Sequence, residues 1–133
     1  MGLTVYICLD DRDGMLFNGR RQSRDSRVFE DIRRELRDVL LIDGFSESLC
    51  RRAEIPYALW EGPLPREGQF FLEARPAVEA SAADRLVIYR WGRHYPADVY
   101  FGLNPEEALF RLEEVSAFPG TSHEEIRKEV YVR

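Results

Sequence analysis

Apolar and polar positions fall in blocks that assign elements along the whole chain. Residues 4–10 (Thr-Val-Tyr-Ile-Cys-Leu-Asp) are apolar nearly throughout, the pattern of a strand covered on both faces. Residues 11–24 are polar and contain Gly14 and Gly19, so they predict a loop, with a tight turn at Asn18-Gly19. Val28, Phe29, Ile32 and Leu36 then form one stripe at helical spacing, and Asp25 or Ser26 stands where an N-cap belongs. Residues 39–42 (Val-Leu-Leu-Ile) predict a second buried strand. Gly44 ends it, and Ser46 or Glu47 opens a short helix running to Arg52.

Signals thin out in the middle. Residues 58–60 fit a short strand among the turns set by Pro56, Gly62, Pro63, Pro65 and Gly68. Residues 69–73 give a third strand, and Pro76 opens a helical segment over 77–83. Residues 85–91 (Arg-Leu-Val-Ile-Tyr-Arg-Trp) predict a strong strand, with a bend from Gly92 to Pro96 and another strand at 98–103. Asn104-Pro105-Glu106-Glu107 has the cap, the proline and the acids of a helix start. A strand at 112–118, a Pro119-Gly120 turn and a terminal strand follow. In that last strand Ile126, Lys128, Val130 and Val132 alternate with Arg127, Glu129, Tyr131 and Arg133, which predicts one wet face. Ser122 and Glu125 match a capping box, so a helical turn is expected before it. Early strand–helix alternation favours parallel pairing, and the close-set later strands favour hairpins. The expectation is an α/β chain: one domain over residues 1–133, a mixed sheet with flanking helices.

Composition refines this picture. A chain of 133 residues that is 44% hydrophobic can bury one real core. A net charge of −5 argues against an extended nucleic-acid or membrane surface and leaves room only for a local basic patch. No apolar run is long enough to span a bilayer and no signal-peptide pattern is present, so a cytoplasmic location is expected. Cys8 and Cys50 read as two buried thiols. Two cysteines and two histidines, scattered singly, give no zinc spacing, and no metal is expected.

The candidate chemistry gathers at residues 10–29, where a basic stretch leaves a buried strand and enters a helix. Arg20, Arg21, Arg24 and Arg27 would clamp an anion such as a carboxylate, phosphate or nucleotide. Equally, they would pair with Asp11, Asp13 and Asp25 on a solvated loop. Asp25 reads two ways: a carboxylate that pairs with the amidine-like edge of a heterocycle, or a helix cap. Asn18 and Ser23 offer polar contacts, although turn chemistry alone explains Asn18. Trp91 and Tyr95 either stack on a flat ligand or pack. His94 and His123 have no nucleophile pattern beside them, which speaks against a triad. No basic residue flanks Cys8, so packing is its expected role.

Two blocks resemble the dihydrofolate reductases. In the first, the apolar strand ending at Leu9, Asp10, Gly14, Asn18-Gly19, then Asp25 and Phe29 follow the family's amino-terminal order, and residues 39–42 with Gly44 resemble its next strand and turn. The second comprises Leu86 to Trp91, Ala97-Asp98-Val99-Tyr100-Phe101, Glu113-Glu114-Val115-Ser116, Ser122-His123 and Val130-Tyr131-Val132. The resemblance implies the family's fold, and it puts Asp25 where the substrate-pairing carboxylate would stand, with Phe29 one turn on. Departures fall on the cofactor side. Arg20-Arg21-Gln22 replaces Leu-Pro-Trp, Gly44-Phe45-Ser46-Glu47 replaces the phosphate motif, and the paired glycines of a later turn are missing from residues 69–74. No cofactor is assigned. The resulting expectation is a small protein that binds an anionic heterocycle, pterin- or nucleotide-like, through Asn18, Arg20, Arg21, Ser23, Arg24 and Phe29, with Asp25 as the catalytic candidate that would protonate or hydrogen-bond the ring, and without NADPH-dependent reduction. An active reductase and an RNA-binding or RNA-processing protein are the alternatives. Residues 10–25, 95–101 and 122–133 also resemble a small bacterial family often labelled ribonuclease Z. That label implies a two-metal, histidine-rich site, which two histidines cannot build.

Overall fold

A computed structural model describes residues 2–133. Its centre is strand β1 (Leu3–Leu9), because this is the segment whose side chains are covered on both faces. It lies between two parallel neighbours, β6 (Gly68–Phe71) and β7 (Arg85–Arg90). Outward on one side are β4 (Leu40–Ile42) and β5 (Tyr57–Leu59), also parallel. Outward on the other are β10 (Ile126–Val132) and β9 (Arg111–Phe118), both antiparallel to their neighbours. The order is β5-β4-β6-β1-β7-β10-β9. The expected mixed sheet, parallel early and antiparallel late, is therefore present.

Period-two alternation along β1 divides the core into two layers. Tyr6 points to the face covered by α1 (Ser26–Glu35) and α2 (Glu47–Arg52), where Phe29, Ile32, Leu49 and Cys50 pack. Val5, Ile7 and Leu9 point to the other face, under Met15, Leu16, Phe101 and Phe110. Helix α1 forms for the reasons legible in its sequence. Asp25 caps it, Val28, Phe29 and Ile32 are buried, and Arg33 and Arg34 sit in its last turn, where the dipole favours cations.

Five expectations need correction. Residues 11–24 are not simply a loop. They contain β2 (Gly14–Phe17) and β3 (Arg20–Arg21), a hairpin turning at Asn18-Gly19, where both residues have positive φ (53° and 68°). Met15 and Leu16 anchor this hairpin to the core, and β8 (Val99–Tyr100) adds a third strand to it. The strand expected at 98–103 is thus only two residues long, and Gly102 (φ 65°) turns the chain just beyond it. At residue 104 the Asn104 side chain does cap Glu106 and Glu107, but a left-handed Leu109 (φ 69°) limits the segment to a turn. No helical turn forms at Ser122, whose N–H is given to Asp25 instead. Finally, β10 has no uniformly wet face. Glu129 is buried beneath Arg90 and Arg127, each with Nε at 3.1 Å, and Lys128 reaches Asp31 at 2.7 Å.

Candidate functional site

Asp25 stands between the hairpin and α1, and the turn joining β9 to β10 closes over it. Its carboxylate is fully buried. The helix contributes one donor, the Arg27 N–H at 3.0 Å. The turn contributes the rest: Thr121 N–H to both oxygens at 3.0 Å, Thr121 Oγ1 at 2.9 Å, Ser122 N–H at 2.8 Å and His123 Nδ1 at 2.9 Å. Burial alone would raise this carboxyl's pKa. The hydrogen bonds from Thr121, His123, Arg27 and Ser122 outweigh burial and hold it well below the usual carboxylate range. Asp25 is therefore an anion at neutral pH, with both oxygens already engaged by the protein.

That anion fixes the His123 ring. The Nδ1–H donates to Asp25, which turns Nε2 to the opposite side. Two hydroxyls meet Nε2, Ser23 Oγ and Tyr95 Oη, each at 3.0 Å. Trp91 stacks on the ring with centroids 4.6 Å apart and planes 16° from parallel. The imidazole is thus held by a carboxylate at one edge and a buried indole on one face. The sequence alone gave no nucleophile beside His123. The fold brings the Ser23 hydroxyl to it from a hundred residues away, so that Ser23, His123 and Asp25 are linked in one line of hydrogen bonds.

A second buried carboxylate, Asp10, organises the hairpin's entry. It accepts the N–H groups of Arg12, Gly14 and Tyr95 and the side-chain amide of Gln22. These bonds bring its pKa down against the opposing effect of burial. Arg21 does not face solvent as an open anion clamp. Its guanidinium meets Glu73 through Nε at 2.8 Å and Nη2 at 2.7 Å, and Ser46 Oγ joins the same carboxylate. Burial, reinforced by the charge of Glu73, pushes both thiols up, Cys8 well above the ordinary value and Cys50 to about 12.

Two concavities result. A cleft of about 230 Å³ lies between α1, α2 and the Thr121 turn. Phe29, Leu49 and Ala53 give it apolar walls, Asp25 and Thr121 lie in its floor, and Arg24 and Arg52 line it. A broader groove lies on the hairpin's other side, lined by Asn18, Arg20, Gln22 and Tyr95 among others. The structure therefore groups Asp25, Arg24 and Phe29, and places Asn18 and Arg20 apart from them. Ser23 borders a small cavity with Cys8, Arg21 and Trp91. Sequence reasoning assigned no role at the site to Thr121, Glu73 or Gln22, and none to His123 as a base. The available signal was Gly120-Thr121-Ser122-His123, a run of small and polar residues after a proline. Among the described residues no group of three or more His, Cys, Asp or Glu side chains could hold a metal ion.

No protein-family model and no curated protein matches the sequence. Solved structures do match. The dihydrofolate reductase of Enterococcus faecalis, in a complex with NADP(H) and RAB-propyl, superposes with a TM-score of 0.63 over 98% of this chain and 95% of its own. The fold is dihydrofolate reductase-like. Sequence identity is 11%, so the likeness concerns the path of the backbone and not the side chains of the site. Within this reductase-like frame, Asp25 stands at the head of α1 and its other partners come from the turn after β9. No helix among the described residues is long and apolar enough to cross a membrane.

Proposed function

We propose that the chain binds a small anionic ligand with a flat heterocyclic body, pterin- or nucleotide-like, in the cleft between α1 and α2. One observation carries this reading. Arg24 and Arg52 line a cleft with apolar walls, and neither has a side-chain partner among the described residues. Guanidinium groups without internal carboxylates are suited to a carboxylate or phosphate from outside. Phe29 and Leu49 offer the body of the ligand an apolar surface, and the hydroxyls of Ser26 and Thr121, 3.2 Å apart, offer it polar contacts at the floor. Asp25 acts here mainly as the anchor of that floor. The proposal is of binding without NADPH-dependent reduction. It is supported by Glu47, which stands at the turn where a phosphate-binding cation would be needed and is engaged by Tyr57 and Arg51.

Thermal shift and calorimetry with a pterin carboxylate, dihydrofolate and mononucleotides test it. A ligand at 100 times its Kd should add about 2.7 kcal/mol of apparent stability. Arg52→Ala should weaken binding about tenfold, the loss of one charge-assisted contact, with Tm unchanged in the free protein. Absence of binding by every member of the series overturns the proposal. Consumption of NADPH with dihydrofolate would replace it by the reductase reading.

A further inference from the structure

We infer that Ser23 is an activated nucleophile, and that Ser23, His123 and Asp25 hydrolyse small esters or other activated acyl groups that carry an anionic substituent. This is independent of the ligand proposed for the α1–α2 cleft. It rests on three features of the Ser23 side of the molecule.

The first is the line of hydrogen bonds. Asp25 Oδ2 to His123 Nδ1 is 2.9 Å, and His123 Nε2 to Ser23 Oγ is 3.0 Å. The base meets its nucleophile, and a third group orients the base; this is the arrangement that acyl transfer through serine requires. The second is the fixed state of the imidazole. An ionised Asp25 takes Nδ1–H as donor, and Trp91 packs flat on the ring, so the ring is held with Nε2 turned toward Ser23 Oγ. Here a half-buried serine occupies its other nitrogen. The third is the neighbouring groove. The cavity that Ser23 borders, about 10 Å³, holds no more than a water, but Arg21 and Gln22 line both it and the wider groove of Arg20 and Tyr95, so a substrate in the groove meets Ser23 when the Gln22 side chain moves aside; Tyr95 Oη lies 3.0 Å from the same Nε2. Arg20 is exposed, and its side chain has no partner among the described residues. It supplies the preference for an anionic acyl group.

In the forward step Ser23 Oγ bonds to the acyl carbon and its proton passes to His123 Nε2. The carbonyl electron pair moves to oxygen, where the Tyr95 hydroxyl can donate. Asp25 stabilises the imidazolium. Collapse of the adduct breaks the bond to the leaving alcohol or thiol, which takes the proton from Nε2 and departs, leaving an acyl-serine. Water then adds to the acyl carbon, giving its proton to Nε2. The carboxylic acid leaves and Ser23 regains the proton. The sum is ester plus water giving acid plus alcohol.

The test uses the full chain with p-nitrophenyl acetate and p-nitrophenyl succinate, following release of nitrophenolate and locating the adduct by peptide mass spectrometry. The expected adduct is on Ser23, with the succinate preferred through a lower KM. Ser23→Ala should lower the rate by about 100-fold or more. Removal of one hydroxyl leaves the chain folded, and cooperative urea unfolding checks this. His123→Gln should have a comparable effect, and if it does not fold the serine variant decides alone. A wild-type rate no higher than that of Ser23→Ala, or an adduct on Cys8 or Lys128, overturns the proposal.

Discussion

Asp25 shows how much one side chain can be asked to do. Its role as a cap is readable from the sequence, because capping needs only the residues beside it in the chain. Its role in holding the Thr121 turn is not, since those donors lie 96 and more residues away. The same limit hid the Ser23–His123 contact. A close approach at Gly120 completes the arrangement. A Cβ there would fall 2.6 Å from Asp25 Oδ2 and 2.8 Å from the His123 carbonyl. Gly120→Ala should therefore cost about 1–3 kcal/mol of stability, the usual penalty of overpacking, measured by urea denaturation. A neutral result would mean that the turn can move away from Asp25 without loss.

Among the elements, α1 is tied to the sheet by charge at its end as well as by its apolar stripe. Glu35 accepts the Tyr6 hydroxyl at 2.6 Å and Arg85 at 2.7 Å, and Lys128 lies 3.3 Å away. Burial would raise the Glu35 pKa. The bonds from Arg85 and Tyr6, with the charges of Arg85 and Lys128, instead bring it down to about 2 from 4.5. A carboxyl depressed on folding stabilises the native state fully above its unfolded value, and that contribution is lost as pH falls through the folded one. Stability should thus decline as pH drops from about 4.5 towards 2, by about 2 kcal/mol from this group. In Glu35→Gln that part of the acid slope should vanish from chemical denaturation curves taken across this range, and an unchanged slope would assign it to other carboxylates. The helix was legible because its stripe repeats at 3.6 residues. The hairpin of β2 and β3 was not, because four and two residues are too few to show a period, and arginines occupy the second strand.

At the scale of the molecule, the long strand covered on both faces, β1, is central, and the long strand left exposed, β9, is at one edge. Strand β9 is exposed from Arg111 to Ala117, and among the described residues its only strand partner is β10. Its sequence placed a strand at 112–118 but did not mark it as the rim, because edge position depends on which partner is absent. An eight-residue open edge bearing exposed Leu112 and Val115 is a template for another strand. Glu113 and Glu114 put like charges along it. The double substitution Glu113→Val with Glu114→Val should leave the monomer's fold intact and raise its tendency to associate, seen as concentration-dependent light scattering. Scattering equal to that of the parent would assign the protection to something else, such as the register shift at Val130/Tyr131.

The sharing of Asp25 between helix, turn and imidazole also bears on how this sequence can drift. A change at Asp25 removes the first cap of α1, five donors' common acceptor and the orientation of His123 at one stroke. Inheritance of the fold therefore carries the Asp25–His123 pair with it, whether or not the chemistry is still in use. Ser23 has no such second duty. Among descendants of this chain, the identity of residue 23, and not of residue 25, is the one that records whether selection still acts on the site.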